Sequence, residues 1–305
     1  MTRLLAMRKS RAFDPDATRP RPTHPTHPLL WTLRRELWEH RSLIFAPLAA
    51  VAVALSGFLV SAVGLPATMQ ASLAGTPSEL KDAIRRPFDI AAVAIIATTS
   101  LAGLFYALGA LNGERRDRSI LFWKSLPVSD ATAVLVKAAI PIALLPLVAF
   151  LLVLAAQAIM LLASTAILSA SGVAIGPLWG SVPVLHRVHI IAWSIATLAL
   201  WHAPIYAWAL LVSGWARRMT LLWATLPPLA AIVFDRMASG RWHVASWFRD
   251  RLIGSLEAGI KPSATAEPQM AVIHFAASPG LWIGLAITAA CLAAAVRLRR
   301  NIFNP

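Results

Sequence analysis

Residues 112–127 read Asn112-Gly-Glu-Arg-Arg-Asp-Arg-Ser-Ile-Leu-Phe-Trp-Lys-Ser-Leu-Pro127, and this charged stretch separates two apolar runs at 88–111 and 133–168. Each run is long enough to cross a membrane, because a helix needs about 20 apolar residues to do so. A charged loop between two such helices is not a contact for lipid tails, so something else must receive it. The stretch therefore sets the fold class and is also the main clue to function.

The overall composition is that of a membrane protein. The 305 residues are 58% hydrophobic and 14% charged, and the mean hydropathy is +0.65. A soluble domain carries about 25% charged residues, so this chain has too few charges to cover a folded surface in water. We therefore predict an all-α polytopic membrane protein. The one cysteine, Cys291, cannot form an internal disulfide.

Hydropathy divides the chain into a tail and a transmembrane domain. Residues 1–28 are rich in Arg, Pro, Thr and His and are predicted to be a disordered cytoplasmic tail, because closely spaced prolines prevent a helix. Residues 29–305 are predicted to form the transmembrane domain. Pro141 and Pro146 are expected to kink its long third span. The six predicted spans are residues 43–65, 88–111, 133–168, 189–212, 219–236 and 280–297.

The distribution of Lys and Arg predicts the orientation. With the N-terminus placed inside, the inner segments hold 19 basic residues and the outer segments hold 9. This excess is what the positive-inside rule requires, so both termini are predicted to be cytoplasmic. The net charge of +14 is then explained mainly by topology, and we expect no nucleic acid partner.

Two segments outside the spans carry aromatic and basic residues. Residues 29–42 predict an amphipathic helix lying at the membrane interface, and the alternative is a cytoplasmic extension of the first span. Residues 235–279 favour either a re-entrant or interfacial helix or a partly ordered loop. The apolar stripe of the first segment contains Leu30, Leu33, Leu37 and Trp38, and its predicted interfacial residues are Trp31, Arg34, Arg35 and Trp38.

Motifs for catalysis or metal binding are absent from the sequence. There is no P-loop, no G-x-S-x-G, no H-E-x-x-H and no C-x-x-C. His186 and His189 have a spacing seen in metal sites, but a pair at the membrane interface is the simpler interpretation. His202 is the clearest ionisable residue in mid-span, and a hydrogen bond between helices explains it equally well. We therefore expect no enzyme activity and no bound cofactor or metal, and any transport must be driven from outside the chain.

The charged stretch predicts a short helix, a proline turn and then the next span. Ser129 or Asp130 is the expected cap of the following helix. The basic residues suit acidic residues of a partner protein, and the aromatic pair suits a pocket in it, since Trp and Arg are favoured contact residues. The alternative is a loop held at lipid headgroups by the same residues. The basic residues are Arg115, Arg116, Arg118 and Lys124, and the aromatic pair is Phe122 and Trp123.

The stretch from Leu111 to Asp130, followed by Lys137, resembles the first cytoplasmic loop of ABC-2 type transporter permeases. The pattern common in that family is E-R-x-x-x-x-x-x-F-W-x-S-L-P-V-S, and the interfacial helix and six spans are similar as well. The resemblance implies that residues 112–127 form a coupling helix that docks on a separate ATPase. The matching residues are Glu114, Arg115, Phe122, Trp123, Ser125, Leu126 and Pro127.

The resemblance also implies an assembly and a location. We expect a homodimer or heterodimer of permeases in the bacterial cytoplasmic membrane, in contact with lipid and with two ATPase copies that hold ATP and Mg²⁺. The expected function is ATP-driven export, and the substrate class (drug, lipid, peptide or polysaccharide) stays open. One alternative is a non-transporting regulator of another membrane protein or of a protease. A second alternative, an intramembrane enzyme, has only His202 in its favour.

Overall fold

The structure is a computed structural model that describes residues 28–73, 76–116, 129–216, 218–254 and 275–301. Every regular element in these residues is a helix, and none is a strand. Six of the helices are long and apolar enough to cross a membrane. The prediction of an all-α polytopic membrane protein is therefore confirmed. The predicted tail at residues 1–28 lies outside the described residues, apart from Pro28.

The described residues form ten helices in chain order. The third long helix is continuous but contains a π-helical turn at Ile140–Leu144, and a second π-turn, Asp250–Gly254, follows α9 directly. The six long helices are α2, α4, α5, α7, α8 and α10. The bounds are α1 Pro28–Glu39, α2 Ser42–Ala62, α3 Leu65–Leu73, α4 Pro77–Arg116, α5 Asp130–Ala170, α6 Gly176–Ser181, α7 Val184–Trp215, α8 Thr220–Ser239, α9 His243–Arg249 and α10 Pro279–Asn301.

Several helices extend beyond the predicted spans. The clearest case is α4, which begins at Pro77 rather than at residue 88. Proline suits the first turn of a helix, and the charged residues after it continue the helix past the apolar run. Hydropathy marks only the part of a helix that suits lipid, whereas backbone hydrogen bonding lets the helix continue on either side. The number of long apolar helices equals the six predicted spans, and the helix bounds differ from the predicted span bounds in both directions: α4 begins before residue 88, whereas α2 ends at Ala62, before residue 65.

A π-turn lies where the sequence predicts a kink in the third span. Pro141 lies inside this turn and Pro146 follows it, so two backbone N–H donors are missing within six residues. Gly103 of α4 allows close approach, because a Cβ at that position would lie 3.2 Å from the Pro141 side chain. The turn thus marks a place where α4 and α5 pack closely.

Packing is uneven across the bundle. α4 makes the most extensive contacts, chiefly with α2, α7 and α5, and the largest contact between any two helices is that of α7 with α10. In contrast, α8 has no buried side chain within the described chain. Such an apolar, uncovered helix suits a lipid environment rather than water.

The two ends of the bundle have different polar contacts. We call the end that carries Arg116 and Ser129 the loop end. At the far end, Arg187 of α7 donates to the Asp89 carboxylate over 2.8 Å and to the Gln157 side chain over 3.2 Å. These contacts join α4, α5 and α7 at the far end.

Candidate partner-binding end of the helix bundle

The helix that follows residues 117–128 has a well-defined start. α4 is described as far as Arg116, and α5 begins at Asp130 after a cap by Ser129. The Ser129 backbone is extended, and its hydroxyl accepts a hydrogen bond from the Thr132 amide over 3.1 Å. This is the N-cap geometry that satisfies an orphan amide of the first turn. Of the two predicted caps, Ser129 is the one observed.

A buried ion pair joins α1 to the beginning of α5. The Lys137 ammonium lies 2.5 Å from a Glu36 carboxylate oxygen, and each side chain is only 3% exposed. The Tyr106 hydroxyl of α4 donates to the other Glu36 oxygen over 2.9 Å. Two charges that are desolvated together require this kind of complete pairing, because a lone buried charge costs several kcal/mol. Glu36 therefore fastens α1 to both helices that flank residues 117–128.

His40 lies beside Tyr106 and Glu36. Its ring stands edge-on to the Tyr106 ring, with the centroids 5.0 Å apart. Its Nδ1 atom lies 3.9 Å from the second Glu36 oxygen.

A second contact holds the last turns of α4. The hydroxyl of Ser213 in α7 is buried and accepts from the amides of Leu111 and Asn112, each over 3.0 Å. A side chain from one helix thus bonds directly to the backbone of another. Gly214 makes this approach possible, because a Cβ there would lie 3.3 Å from the Leu111 side chain.

A third contact holds the first turn of α5. The Arg299 guanidinium, near the end of α10, donates to the Asp130 carboxylate over 3.0 Å. Arg299 is largely buried, whereas Asp130 is partly exposed. An acidic residue in a first turn and a basic residue in a last turn both complement their helix dipoles.

Together, these contacts connect both flanks of residues 117–128 to the bundle. α4 is joined to α1 and α7, and α5 is joined to α1 and α10. Both flanks of residues 117–128 are thus linked to α1, α7 or α10 by side-chain contacts.

The helix predicted at residues 29–42 is present as α1, and Leu33 and Leu37 of its apolar stripe pack against the bundle. Thr32 and Glu36 face the bundle, whereas Trp38, assigned to the apolar stripe, is 68% exposed. The exposed Arg34 lies over the Trp38 ring at 5.5 Å, and Arg35 bonds Glu39 of the same helix. One face of α1 is thus fastened to the protein, and the opposite face presents Trp and Arg, the pair favoured at membrane interfaces.

The structure places the predicted partner-binding residues only in part. Arg116 is exposed at the end of α4, and Glu114 and Arg115 lie in the same last turn. The Glu114, Arg115 and Trp31 side chains are not described. The other predicted residues, Arg118, Phe122, Trp123, Ser125, Leu126 and Pro127, lie outside the described residues.

Sequence reasoning missed the polar residues that hold this end together. Lys137 lay inside the predicted third span, and a cation in such a place needs a buried partner. That signal pointed to an acidic residue such as Glu36. Ser213 gave no comparable signal, because serine is common in membrane helices and its partner is backbone.

His202 makes a local hydrogen bond within its own helix. His202 is buried in α7, and its Nδ1 lies 3.0 Å from the Leu198 carbonyl oxygen of the previous turn. Within the described ranges, no three His, Cys, Asp or Glu side chains are grouped as a metal site would need.

Comparison of the chain with protein-family models, with curated proteins and with solved structures gave no match.

Proposed function

We propose that this chain is the membrane-spanning permease subunit of an ATP-driven exporter of the ABC-2 type. A separate ATPase would dock on residues 112–127, which would act as the coupling helix. ATP and Mg²⁺ would be bound by that partner, and this chain would supply the path through the membrane. The observation that carries the proposal is the fastening of both flanks of residues 117–128 by Glu36, Ser213 and Arg299.

The charge pattern supports the same assignment. The exposed cations at the loop end include Arg34 and Arg116. The sequence has three more basic residues nearby, namely Arg115, Arg118 and Lys124. A partner with an acidic surface would be attracted to this end, and the positive-inside rule would put it in the cytoplasm. Phe122 and Trp123 would then fill a pocket in that partner.

The assembly follows from the same resemblance. Two permeases would pair in the membrane, with one ATPase on each, and a path would open between the permeases. The helix α8 supports this arrangement, because its apolar surface is uncovered by the rest of the described chain. In the family pattern the path is lined by the first, second and fifth spans, which are α2, α4 and α8 here.

A pull-down experiment tests the coupling-helix proposal. The chain would be expressed with a candidate ATPase that contains a Walker A motif, ideally one encoded next to it. Trp123→Ala and the charge reversal of Arg115 and Arg116 should release the ATPase from the membrane fraction. The chain itself should still insert, because the six apolar spans are unchanged in these variants.

Arg300→Glu is the matched control. This side chain is exposed at the same end of the bundle but lies on α10, outside residues 112–127. It should leave the ATPase bound at the wild-type level. If the ATPase stays on the membrane when Trp123 and both arginines are altered, the coupling-helix proposal is wrong.

Flux measurements separate export from regulation. The chain and its ATPase would be reconstituted in vesicles with labelled candidate substrates from the drug, lipid, peptide and polysaccharide classes. ATP-dependent movement of one class supports export. ATP hydrolysis without movement of any class supports the regulator.

A further inference from the structure

Arg251 is a fully buried cation between α7 and α10. Its side chain is 1% exposed, and it lies in the π-turn Asp250–Gly254 that follows α9. One terminal nitrogen, Nη1, donates to the Trp201 carbonyl over 3.0 Å, and Nη2 donates to the Gly280 carbonyl. The Trp201 indole returns a hydrogen bond to the Asp250 carbonyl over 3.0 Å. The segment 243–254 is thus held against both helices.

The depth of Arg251 follows from its contact with Trp201. Trp201 is fourteen residues from Trp215, where α7 ends at the loop end, and fourteen from Arg187 at the far end. Each distance is about 21 Å along a helix, at 1.5 Å per residue. The hydrocarbon core of a bilayer is about 30 Å thick. Arg251 therefore lies about midway along α7 and beside the first turn of α10, so segment 243–254 packs back against the bundle.

Two tryptophan rings and a glycine surround this guanidinium. The Trp201 ring lies 4.1 Å and the Trp247 ring 5.3 Å from the guanidinium carbon, which gives cation–π contacts on two sides. Gly284 leaves the necessary space, because a Cβ there would lie 2.5 Å from Nη2. Gly280, one turn earlier, faces the Trp201 ring, with its would-be Cβ 3.2 Å away. Gly280 and Gly284 thus form a notch on α10 in which the side chains of Trp201 and Arg251 pack.

The charge of Arg251 is not neutralised by the described part of the chain. No acidic side chain among these residues forms an ion pair with it, and its Nε atom is buried with no hydrogen-bond partner. The neighbouring Asp250 carboxylate is 60% exposed and contacts Arg249 instead. An unneutralised buried cation is costly, and in a membrane it indicates a functional site.

We propose that Arg251 binds the anionic head, a phosphate or a carboxylate, of an amphiphile that enters the bundle from the membrane. The unpaired Nε and a terminal nitrogen form the edge that carboxylates and phosphates bind through two parallel hydrogen bonds. The first turn of α10 lies beside the same side chain, and the positive end of its dipole also favours an anion. Because Nε is buried, the head reaches it when segment 243–254 separates from α7.

Native mass spectrometry of the full chain in detergent tests this site. Dioleoyl phosphatidylglycerol and dioleoyl phosphatidylcholine are the probes, because they share acyl chains and differ in head charge. The wild type should retain the anionic lipid about tenfold more strongly than the neutral one, and Arg251→Gln should remove most of that preference, as expected for a charged hydrogen bond. Arg249→Gln is the matched control, since that side chain lies on the same segment and is 73% exposed.

Two further variants keep the test decisive if Arg251→Gln does not fold. Arg251→Lys keeps the charge but loses the two-pronged edge, and Gly284→Ala displaces the guanidinium without removing it. Both should lower the preference for phosphatidylglycerol. Equal retention of the two lipids by the wild type would overturn the proposal. An unchanged preference in all three folded variants would overturn it too. The proposal would also be wrong if Arg251→Gln destabilised the chain and a second substitution, Glu257→Gln or Glu267→Gln, restored the stability, because that result would identify an internal counter-charge.

The source of the amphiphile is a separate question with its own measurement. The purified chain would be extracted and its bound anions identified before and after ATP turnover with the ATPase. A resident lipid would stay bound through turnover, whereas an exported substrate would be lost. The binding experiment needs no ATPase, so a failure of the proposed function leaves the test of Arg251 intact.

Discussion

The two buried charged sites of this protein differ in how they are neutralised. At the loop end, Lys137 meets Glu36 at 2.5 Å and Tyr106 adds a hydrogen bond to the same carboxylate. Between α7 and the first turn of α10, Arg251 meets carbonyls and indole rings, and no acidic side chain of the described residues pairs with it. The first arrangement is complete within the protein and fixes helices relative to each other. The second lacks an anion, which explains why we assign it to a ligand.

The largest expected effect is the loss of one partner from the loop-end pair. Lys137→Met leaves the Glu36 carboxylate buried without its cation, and the expected cost is about 3–5 kcal/mol of folding free energy. The apparent stability in detergent measures it. The double variant Glu36→Leu with Lys137→Met should recover most of the loss, because both charges are then absent. Equal destabilisation in the single and double variants would show that the pair is not the cause.

The next effect concerns the notch that holds the central cation. Gly284→Ala brings a Cβ to 2.5 Å from the Arg251 guanidinium, and overpacking of this kind costs about 1–3 kcal/mol. Gly57→Ala is the control, since a Cβ at Gly57 meets nothing within 4 Å. That control should be neutral or slightly stabilising, because alanine favours a helix over glycine. Similar stability of the two variants would mean that the guanidinium moves away at little cost.

A smaller effect is expected from the contact between α7 and α4. Ser213→Ala removes the oxygen that accepts from the amides of Leu111 and Asn112, and the expected loss is about 1 kcal/mol. Ser56→Ala is matched in chemistry, but Ser56 is exposed and bonds only to its own helix at Val53. If Ser213→Ala lowers the melting temperature no more than Ser56→Ala does, the Ser213 hydrogen bonds do not stabilise the loop end.

The smallest expected effect is the sharpest test of the comparison. Arg251→Met removes a buried cation together with its solvation cost, so in detergent free of anionic lipid the stability should change by less than about 1 kcal/mol or should increase. The same substitution at Lys137 is expected to be severely destabilising. If Arg251→Met and Lys137→Met lower the stability by the same amount, the two cations do not differ in how they are neutralised.

The spans were predictable because lipid acts on every residue of a run in the same way. A helix of about 20 apolar residues is required wherever the chain crosses, so composition alone located all six. The ends were less predictable, as α4 shows: it continues to Pro77 through charged residues that lipid excludes but a helix accepts.

The polar contacts were harder to predict, for two different reasons. Glu36 lies in an amphipathic pattern in which charged residues are assigned to the exposed face, and only the packing of α1 shows that Glu36 faces Lys137. Arg251 binds backbone carbonyls, which have no signature in sequence. The one readable sign was Gly280-x-x-x-Gly284, a spacing that allows close approach.

The π-turn of α5 has a consequence for how this long helix can be altered. A π-turn holds one residue more than the α-helical turn it replaces, so the extra residue is absorbed within the turn and the faces of the two halves of α5 stay aligned. Deletion of a single residue within Ile140–Leu144 would convert the π-turn into an ordinary α-helical turn and leave the far half facing as it does now. Deletion of a residue between this turn and Gln157 would instead rotate the far half by about 100°, and Gln157, which meets Arg187, would then face a different neighbour. The π-turn is therefore a place where this long helix can lose a residue and keep its packing.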